Sequence, residues 1–359
     1  MISVLEIAVD CPVNKTFSYL PPKDIPLKDI VGKRVKVPFG SRLAIGYVLS
    51  VAQMEHKQNA NKQLSFTLDL PQSPRPRKLD RHSGLKINLK TIIEIIDDYP
   101  IISEESIELA RFISQNYVCS IGEALSCIIP QSMQKPKRKA QEQGSPAMTD
   151  SSPRKILTPH QQAAFDKITK SLANNEHKDF LLYGVTASGK TEIYLNAIEY
   201  ALNLGKSSIM LIPEISLTAQ FEEIVFKRFG SHAALWHSNI SNIEKYKLFY
   251  LALNGEIKVM LGARSAVFAP FKNLGLIIID EEHEHTYKQE QKPSYDCREI
   301  AFWRARRHNA CAVLGSATPS LETYKSSLEN NIEIIRLPQR IDAKKLPDIK
   351  IISLKDKPR

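Results

Sequence analysis

Residues 180–191 read Phe180-Leu-Leu-Tyr-Gly184-Val-Thr-Ala-Ser-Gly189-Lys190-Thr191, and Glu-Ile-Tyr-Leu-Asn-Ala-Ile-Glu-Tyr-Ala-Leu follows. The order is an apolar strand, a glycine-framed loop closing on Lys-Thr, and an amphipathic helix. Successive backbone N–H groups from Gly184, Val185, Thr186, Ala187, Ser188 and Gly189 can form a positive concavity for phosphates, backed by the helix N-terminus. Lys190 is then placed for the β- and γ-phosphates, and the Thr191 hydroxyl for magnesium. A glycine turn ahead of an ordinary helix is the plain alternative; the strand before it and the helix after it weigh against that.

Downstream, apolar runs alternate with amphipathic stretches, as in a parallel α/β sheet. Strands are predicted at Phe180–Tyr183, Ser208–Ile212, Val259–Leu261, Leu276–Ile279 and Ala312–Leu314. Each is a continuous apolar run, as expected when helices cover both faces. The fourth ends in Asp280-Glu281-Glu282-His283. Ligands bind at the C-terminal ends of strands in open α/β sheets, so Asp280 is placed to hold magnesium and Glu281 to orient or deprotonate the attacking water. An acidic strand end taken alone is usually a solvated turn; the upstream loop makes it a partner.

Phosphoryl transfer alone does not define a motor. Gly315-Ser316-Ala317-Thr318 follows a strand where, with His283, it can couple to the metal-site carboxylates. Leu211-Ile-Pro213-Glu214-Ile-Ser-Leu-Thr218 and Gly262-Ala-Arg264-Ser265-Ala266 follow two others, where they can meet a nucleic-acid backbone. In Leu157-Thr158-Pro159-His160-Gln161, the Gln161 amide is placed to read adenine.

The rest of the chain is organised differently. Short β-like runs (Val4–Val9, Arg34–Val37, Ala44–Val51) are separated by Pro and Gly turns, a strand resumes at Leu89–Ile96, and Ser103 opens a helix to about Tyr117 with Ile107, Ala110 and Ile113 on one face. A shorter helix is predicted over Ile121–Ile128. Two stretches, Ala52–Lys86 and Gln131–Lys155, lose apolar periodicity and gain Pro, Ser, Gln and basic residues, a composition that cannot bury enough surface to order itself. The first is read as a polar insertion and the second as a basic linker. The expected division is therefore 1–100, 101–130 (helical), 131–155 (linker), 156–340 and a tail at 341–359.

A net charge of +10 favours an anionic partner, nucleic acid before membrane, since no apolar run has transmembrane length. Five cysteines without a CxxC pair point to reduced thiols and a cytoplasmic protein.

At this point the sequence resembles one family, the PriA (primosomal protein N′) replication-restart helicases of superfamily two. GVTASGKTEIYL, LIPEISLTAQ, LGARSAVFAPF, IIDEEHEHTYKQEQKPSYDCREIAFWRA and GSATPSLET are similar to its motor motifs. TFSYLPP, VGKRVKVPFGSRLAIGYV and LKTIIEIIDDYPIIS are similar to its domain for the 3′ end of a nascent strand. The resemblance implies a small β-rich DNA-binding domain plus an α/β RecA-like P-loop helicase lobe with a parallel sheet. It also implies ATP and Mg2+ as cofactors, branched and single-stranded DNA as partners, and primosome proteins and single-stranded DNA-binding protein beyond them. By position the 3′-end pocket falls on Phe17, Ser18, Gly40 and Lys90. Arg264, Tyr287 and Tyr295 are expected to meet single-stranded DNA, with Phe302 and Trp303 in a helix core. Three departures stand out: Ser18 replaces the family's aspartate, 101–130 has room only for a remnant or start of the winged-helix region, and the sequence is expected to lack the zinc-binding cysteines and the second motor lobe with its arginine finger. The resemblance therefore implies a 3′-to-5′ helicase of replication restart whose unwinding by this chain is doubtful, or else a non-enzymatic fork-binding module.

Overall fold

The computed structural model describes residues 2–22, 26–27, 30–54, 57–59, 63–65, 89–130, 156–213 and 218–341. The linker at 131–155 and most of the tail lie outside them.

The N-terminal unit contains β1 (Ile2–Val9), β2 (Phe17–Tyr19), β3 (Arg34–Phe39), β4 (Arg42–Met54), the small hairpin β5 (Lys57–Asn59) and β6 (Gln63–Ser65), and β7 (Glu94–Ile95). The main sheet runs β2-β1-β4-β3-β7. It closes on itself, because Thr91 bridges Leu20 beside β2 while Glu94 and Ile95 pair with β3. This corrects the single strand expected over Leu89–Ile96. The segment changes partner midway and cannot stay straight. The polar insertion also begins later than expected, since Ala52–Met54 still pairs with Val4–Ile2 of β1. Two helices follow, α1 (Glu104–Asn116) and α2 (Ile121–Ile128). Ser103 caps α1 by accepting from the Ser106 N–H at 3.1 Å, and α2 opens with a reciprocal capping box between Ser120 and Glu123.

The larger unit comprises α3 (Pro159–Asn174), β8 (Lys178–Gly184), α4 (Lys190–Asn203), β9 (Ser207–Leu211), α5 (Ala219–Phe229), β10 (Ala233–Trp236), α6 (Asn242–Leu253), β11 (Val259–Gly262), β12 (Leu274–Ile279), α7 (Cys297–His308), β13 (Cys311–Ser316), α8 (Leu321–Leu328) and β14 (Glu333–Leu337). Seven strands pair in the order β10-β11-β9-β12-β13-β8-β14, all parallel. The five strands read from the sequence are the inner ones. The two edges were missed because β10 is a four-residue, alanine-rich run and β14 alternates buried and exposed positions.

Helices α3, α4 and α5 cover one face with Ile168, Ile198 and Val225. The other face carries α6 and α7, and its core is shared with the N-terminal unit: Ile113, Leu125 and Ile128 join Phe249, Ile300 and Ala301. Two charged grips reinforce that junction. Asp97 accepts from the Arg34 guanidinium at 2.7 Å, from the Arg34 N–H at 2.8 Å and from the Tyr246 hydroxyl of α6 at 3.1 Å. Arg304 of α7 donates to Glu105 of α1 at 2.7 Å, with His308 Nε2 3.0 Å from the same carboxylate.

Although burial pushes the Glu105 carboxyl up, Arg304 and His308 outweigh it and hold it at about 2, below its ordinary 4.5. A depressed carboxylate stabilises the fold above its unfolded pKa and loses that contribution as pH falls through the folded one. Thermal stability should therefore drop between pH 4.5 and about 2. Glu105→Gln should be less stable than the parent at neutral pH and flatter across that window. Parallel pH profiles of melting temperature for the two proteins would reject the assignment.

Candidate nucleotide site and nucleic-acid faces

Seven of the described helices begin with a Ser, Thr or Asp whose side chain caps the first turn. Helix α4 does not: it starts from Gly189, in the left-handed region at φ 80°, with no side-chain cap. Its first N–H groups are left for an anion, which is what a phosphate loop requires. Two loop amides are already engaged, Val185 N–H with Leu337 O at 3.3 Å and Ser188 N–H with Val185 O at 3.0 Å.

Lys190, only 8% exposed, donates to Gly184 O at 3.2 Å and lies 3.7 Å from Glu281 Oε1. Thr191 is exposed at the helix start. Asp280 follows β12 directly and is half-buried, and the Tyr194 hydroxyl donates to its Oδ1 at 3.1 Å. Burial, then the neighbouring Glu281 charge, raise the Asp280 carboxyl to about 6 against the opposing pull of Lys190. Two adjacent half-buried carboxylates are the donor set a divalent cation relieves, and in the phosphate loop the buried Ser188 Oγ has no hydrogen-bond partner. Magnesium held by Thr191 and Asp280 fits these residues. Among the described residues no cluster of three or more His, Cys, Asp or Glu side chains is arranged to hold a metal ion by itself.

The residues expected to couple the strands come together. His283 Nδ1 is 2.9 Å from Ser316 Oγ, which also accepts from the Thr318 N–H at 3.0 Å. Gly315 lies so close to Tyr194 that a Cβ there would overlap its hydroxyl and crowd Asp280. Glu282, next in line and given no role from the sequence, is fully buried. It accepts from the Ser320 N–H at 2.7 Å, from the Ser320 hydroxyl at 3.0 Å and from the Thr323 hydroxyl at 2.9 Å, and lies 3.4 Å from Arg298 Nη1. One carboxylate thus ties the metal strand to α8 and α7. No local pattern signals this, because the third acid of a run reads as a solvated charge.

Gln161 is engaged at both ends of its amide: Oε1 accepts from the Thr158 N–H and Nε2 donates to Ser188 O, each at 2.8 Å. It braces the phosphate loop, and a glutamine amide has one more N–H and further lone pairs beyond these two bonds. Two expectations are corrected. Tyr287 and Tyr295 are 1% and 2% exposed, so neither can stack on a base. Tyr287 instead donates to the Asp280 carbonyl at 2.6 Å and fixes the end of β12, while Tyr295 packs edge-on against Phe268 at 5.1 Å. These two rings are the underside of the loop. Trp303 is half-buried against Phe112 of α1, as a core-facing helix position should be.

Arg264 lines a cleft of about 720 Å3 with Pro213, Ser238, Lys245, His285 and Lys288. Its Nη1 donates to the carbonyls of Thr286 at 3.2 Å and Lys288 at 2.9 Å, so it shapes the loop wall as well as charging it. Ser238, His285, Thr286, Lys288, Glu290 and Gln291 are the exposed residues lining it. Glu214 to Leu217 lie outside the described residues.

In the N-terminal unit Phe17 packs edge-on against Phe39 at 5.0 Å, and Gly40 follows in the exposed β3–β4 turn with open space around it. Ser18 pairs with Glu6 across β1 and β2. Lys90 is exposed, and its carbonyl accepts from the Leu20 N–H at 2.9 Å. Phe17 and Gly40 thus share one end of the sheet through Phe39, and Lys90 stands where the closing segment meets β2.

Family models match the two units separately. The model described as DEAD/DEAH box helicase matches residues 158–327, and the model described as 3′DNA-binding domain (3′BD) of the PriA type matches 6–78 and 75–130, taking in both α1 and α2. The chain is 34% identical over 350 residues to the replication restart protein PriA of Treponema pallidum (strain Nichols), covering 98% of this chain and 49% of that one. It is 48% identical over 203 residues to the protein of that name from Bacillus subtilis (strain 168), covering 56% of this chain and 25% of the relative. The chain thus spans from a quarter to about half the length of these relatives. Among solved structures, RecG bound to a three-way DNA junction is similar at 25% identity over 51% of this chain and 24% of that one, with a TM-score of 0.39.

Proposed function

Because the chain belongs to the PriA replication restart family, with that family's 3′ DNA-binding domain ahead of a DEAD/DEAH box helicase lobe, we propose that it is the fork-binding and ATP-binding half of a 3′-to-5′ DNA helicase. The observation that carries this reading is the meeting of the uncapped α4, Lys190 and the Asp280–Glu281 strand end at one place, with Lys190 Nζ 3.7 Å from Glu281.

In this reading Lys190 leaves the Gly184 carbonyl for the nucleotide's terminal phosphates, and Thr191 and Asp280 hold magnesium. An ion held by them would supply neutralisation of the phosphate charge. Glu281, released from Lys190, aligns the attacking water and takes its proton. Tyr194 and Tyr287 keep Asp280 in place from either side of its strand. His283 and the Gly315–Thr318 loop feel any shift of that strand through Ser316.

The N-terminal unit supplies the DNA end site. Phe17 offers a ring face to any terminal base, Gly40 lets the backbone approach, and Lys90 meets a phosphate. Branched and single-stranded DNA are the partners, with primosome proteins and single-stranded DNA-binding protein acting on the assembled fork. No helix among the described residues is long and apolar enough to cross a membrane.

The test compares forks with a free 3′-hydroxyl and a 3′-phosphate, titrated with the whole chain at physiological salt. The hydroxyl fork should bind more tightly, and Lys90→Ala should lower affinity and flatten the slope of log K against log salt by about one unit or less. Equal affinity for both forks would remove 3′-end capture and leave the basic charge as a general tether.

A further inference from the structure

We propose that α7 is the rod through which the N-terminal DNA-binding unit acts on the nucleotide site, an inference that rests on the function proposed above. Twelve residues of helix span about 18 Å. The two ends of this one are fastened to different functional parts.

At its start Asp296 caps the helix and holds Arg298 through Nη2 at 2.7 Å and Nε at 3.1 Å. Arg298 Nη1 then donates to the Glu282 carbonyl at 3.1 Å and lies 3.4 Å from the Glu282 carboxylate. Glu282 adjoins the proposed water-aligning Glu281, and its N–H donates to Gly315 O at 3.0 Å. The near end of α7 is therefore bound to the chemistry-bearing strand end by side chain and main chain together.

At its far end Arg304 is buried and donates to Glu105 at 2.7 Å and to the carbonyls of Val267 and Ala269. Arg307 reaches Glu108 at 2.8 Å, and Trp303 lies on Phe112 with ring centroids 5.9 Å apart. All three acceptors or ring partners on α1 belong to the N-terminal unit. Val267 and Ala269 follow shortly after Arg264, so Arg304 also holds the segment that continues from it.

Between the ends, Cys297, Ile300, Ala301 and Ala305 are buried in the shared core. A helix so packed cannot bend or slide a little; it moves as a unit with what it is fastened to. Displacement of α1 by a DNA end is thus delivered to Glu282 and, through it, to Glu281 and the Gly315 loop. If the contacts served only to glue two units together, breaking them would lower stability and leave each ligand indifferent to the other.

Linkage makes the two readings separable, because a coupling between sites appears as equal changes in both affinities. ATP affinity of the whole chain is titrated with a fluorescent nucleotide, with and without a fork bearing a free 3′ end. In the parent the fork should change ATP affinity about fivefold or more, the lower range for coupled sites. Glu105→Gln at the far end and Arg298→Lys at the near end should each bind ATP alone and fork alone as the parent does, while the ratio falls towards one. If Glu105→Gln melts early, Glu105→Asp, which keeps the charge and shortens the reach, takes its place. A parent ratio of one, or a folded variant at either end that keeps the parent ratio, overturns the rod. Failure of the parent to bind ATP or fork at all is a different result, and would remove the proposed function itself.

Discussion

Lys190→Ala is expected to bind ATP at least about tenfold more weakly than the parent, with far-UV circular dichroism unchanged. The lysine is buried, and its short-range partners among the described residues are the Gly184 carbonyl and the Glu281 carboxylate, which belong to the proposed phosphate loop and metal-site strand end. Removing it takes away the positive charge destined for the β- and γ-phosphates. It also leaves Asp280 and Glu281 without the cation that now moderates their repulsion, and the Asp280 carboxyl should rise further above about 6. Lys190→Arg keeps the charge but cannot fit the same enclosed space, so it should recover little. A fluorescent-nucleotide titration decides the matter: equal affinity in parent and Lys190→Ala would show that phosphates are held elsewhere.

Asp97→Asn should give the largest loss of stability of any single change at the junction between the units. Asp97 and Arg34 are almost completely buried, and the carboxylate accepts from Arg34 and from Tyr246 across the junction. Removing one partner of a buried ion pair leaves an uncompensated charge and costs about 3–5 kcal/mol. Asparagine retains the shape and offers an amide hydrogen where Arg34 already presents one. Arg34→Met with Asp97→Leu should be much milder than Asp97→Asn alone, because replacing both partners by apolar side chains removes the stranded charge. Urea denaturation measures both. An Asp97→Asn midpoint equal to that of the parent would mean that water reaches the pair and screens it.

The contrast between what the sequence disclosed and what it hid follows the range of the interactions. The phosphate loop was legible because strand, loop and helix are contiguous, and Lys190 acts within six residues of Gly184. Asp280 was legible for the same reason, since β12 announces it with an unbroken apolar run. Glu282 was not, because its partners Arg298, Ser320 and Thr323 lie 16 to 41 residues away. The aromatic loop misled because Tyr287 and Tyr295 sit in a polar stretch that gives no sign of which side is outward. Gln161 has a second role that its spacing from Thr158 does show, a capping box at the start of α3. In the N-terminal unit, short strands with turn residues marked the sheet, but nothing local shows that Thr91 returns to Leu20.

That return contact limits how the N-terminal unit can take a ligand. A strand with an unpaired flank can accept an extended peptide or a neighbour's strand by main-chain hydrogen bonds alone. Here Thr91 bridges Leu20 at the end of β2 and β7 pairs with Val35 and Lys36 of β3, so the closing segment narrows the main-chain template. Recognition is left to side chains and turns around its ends. The amides of Leu20, Ile92 and Ile93, which make the closing bonds, should accordingly exchange slowly with deuterated solvent, and added extended peptides should leave their protection unchanged.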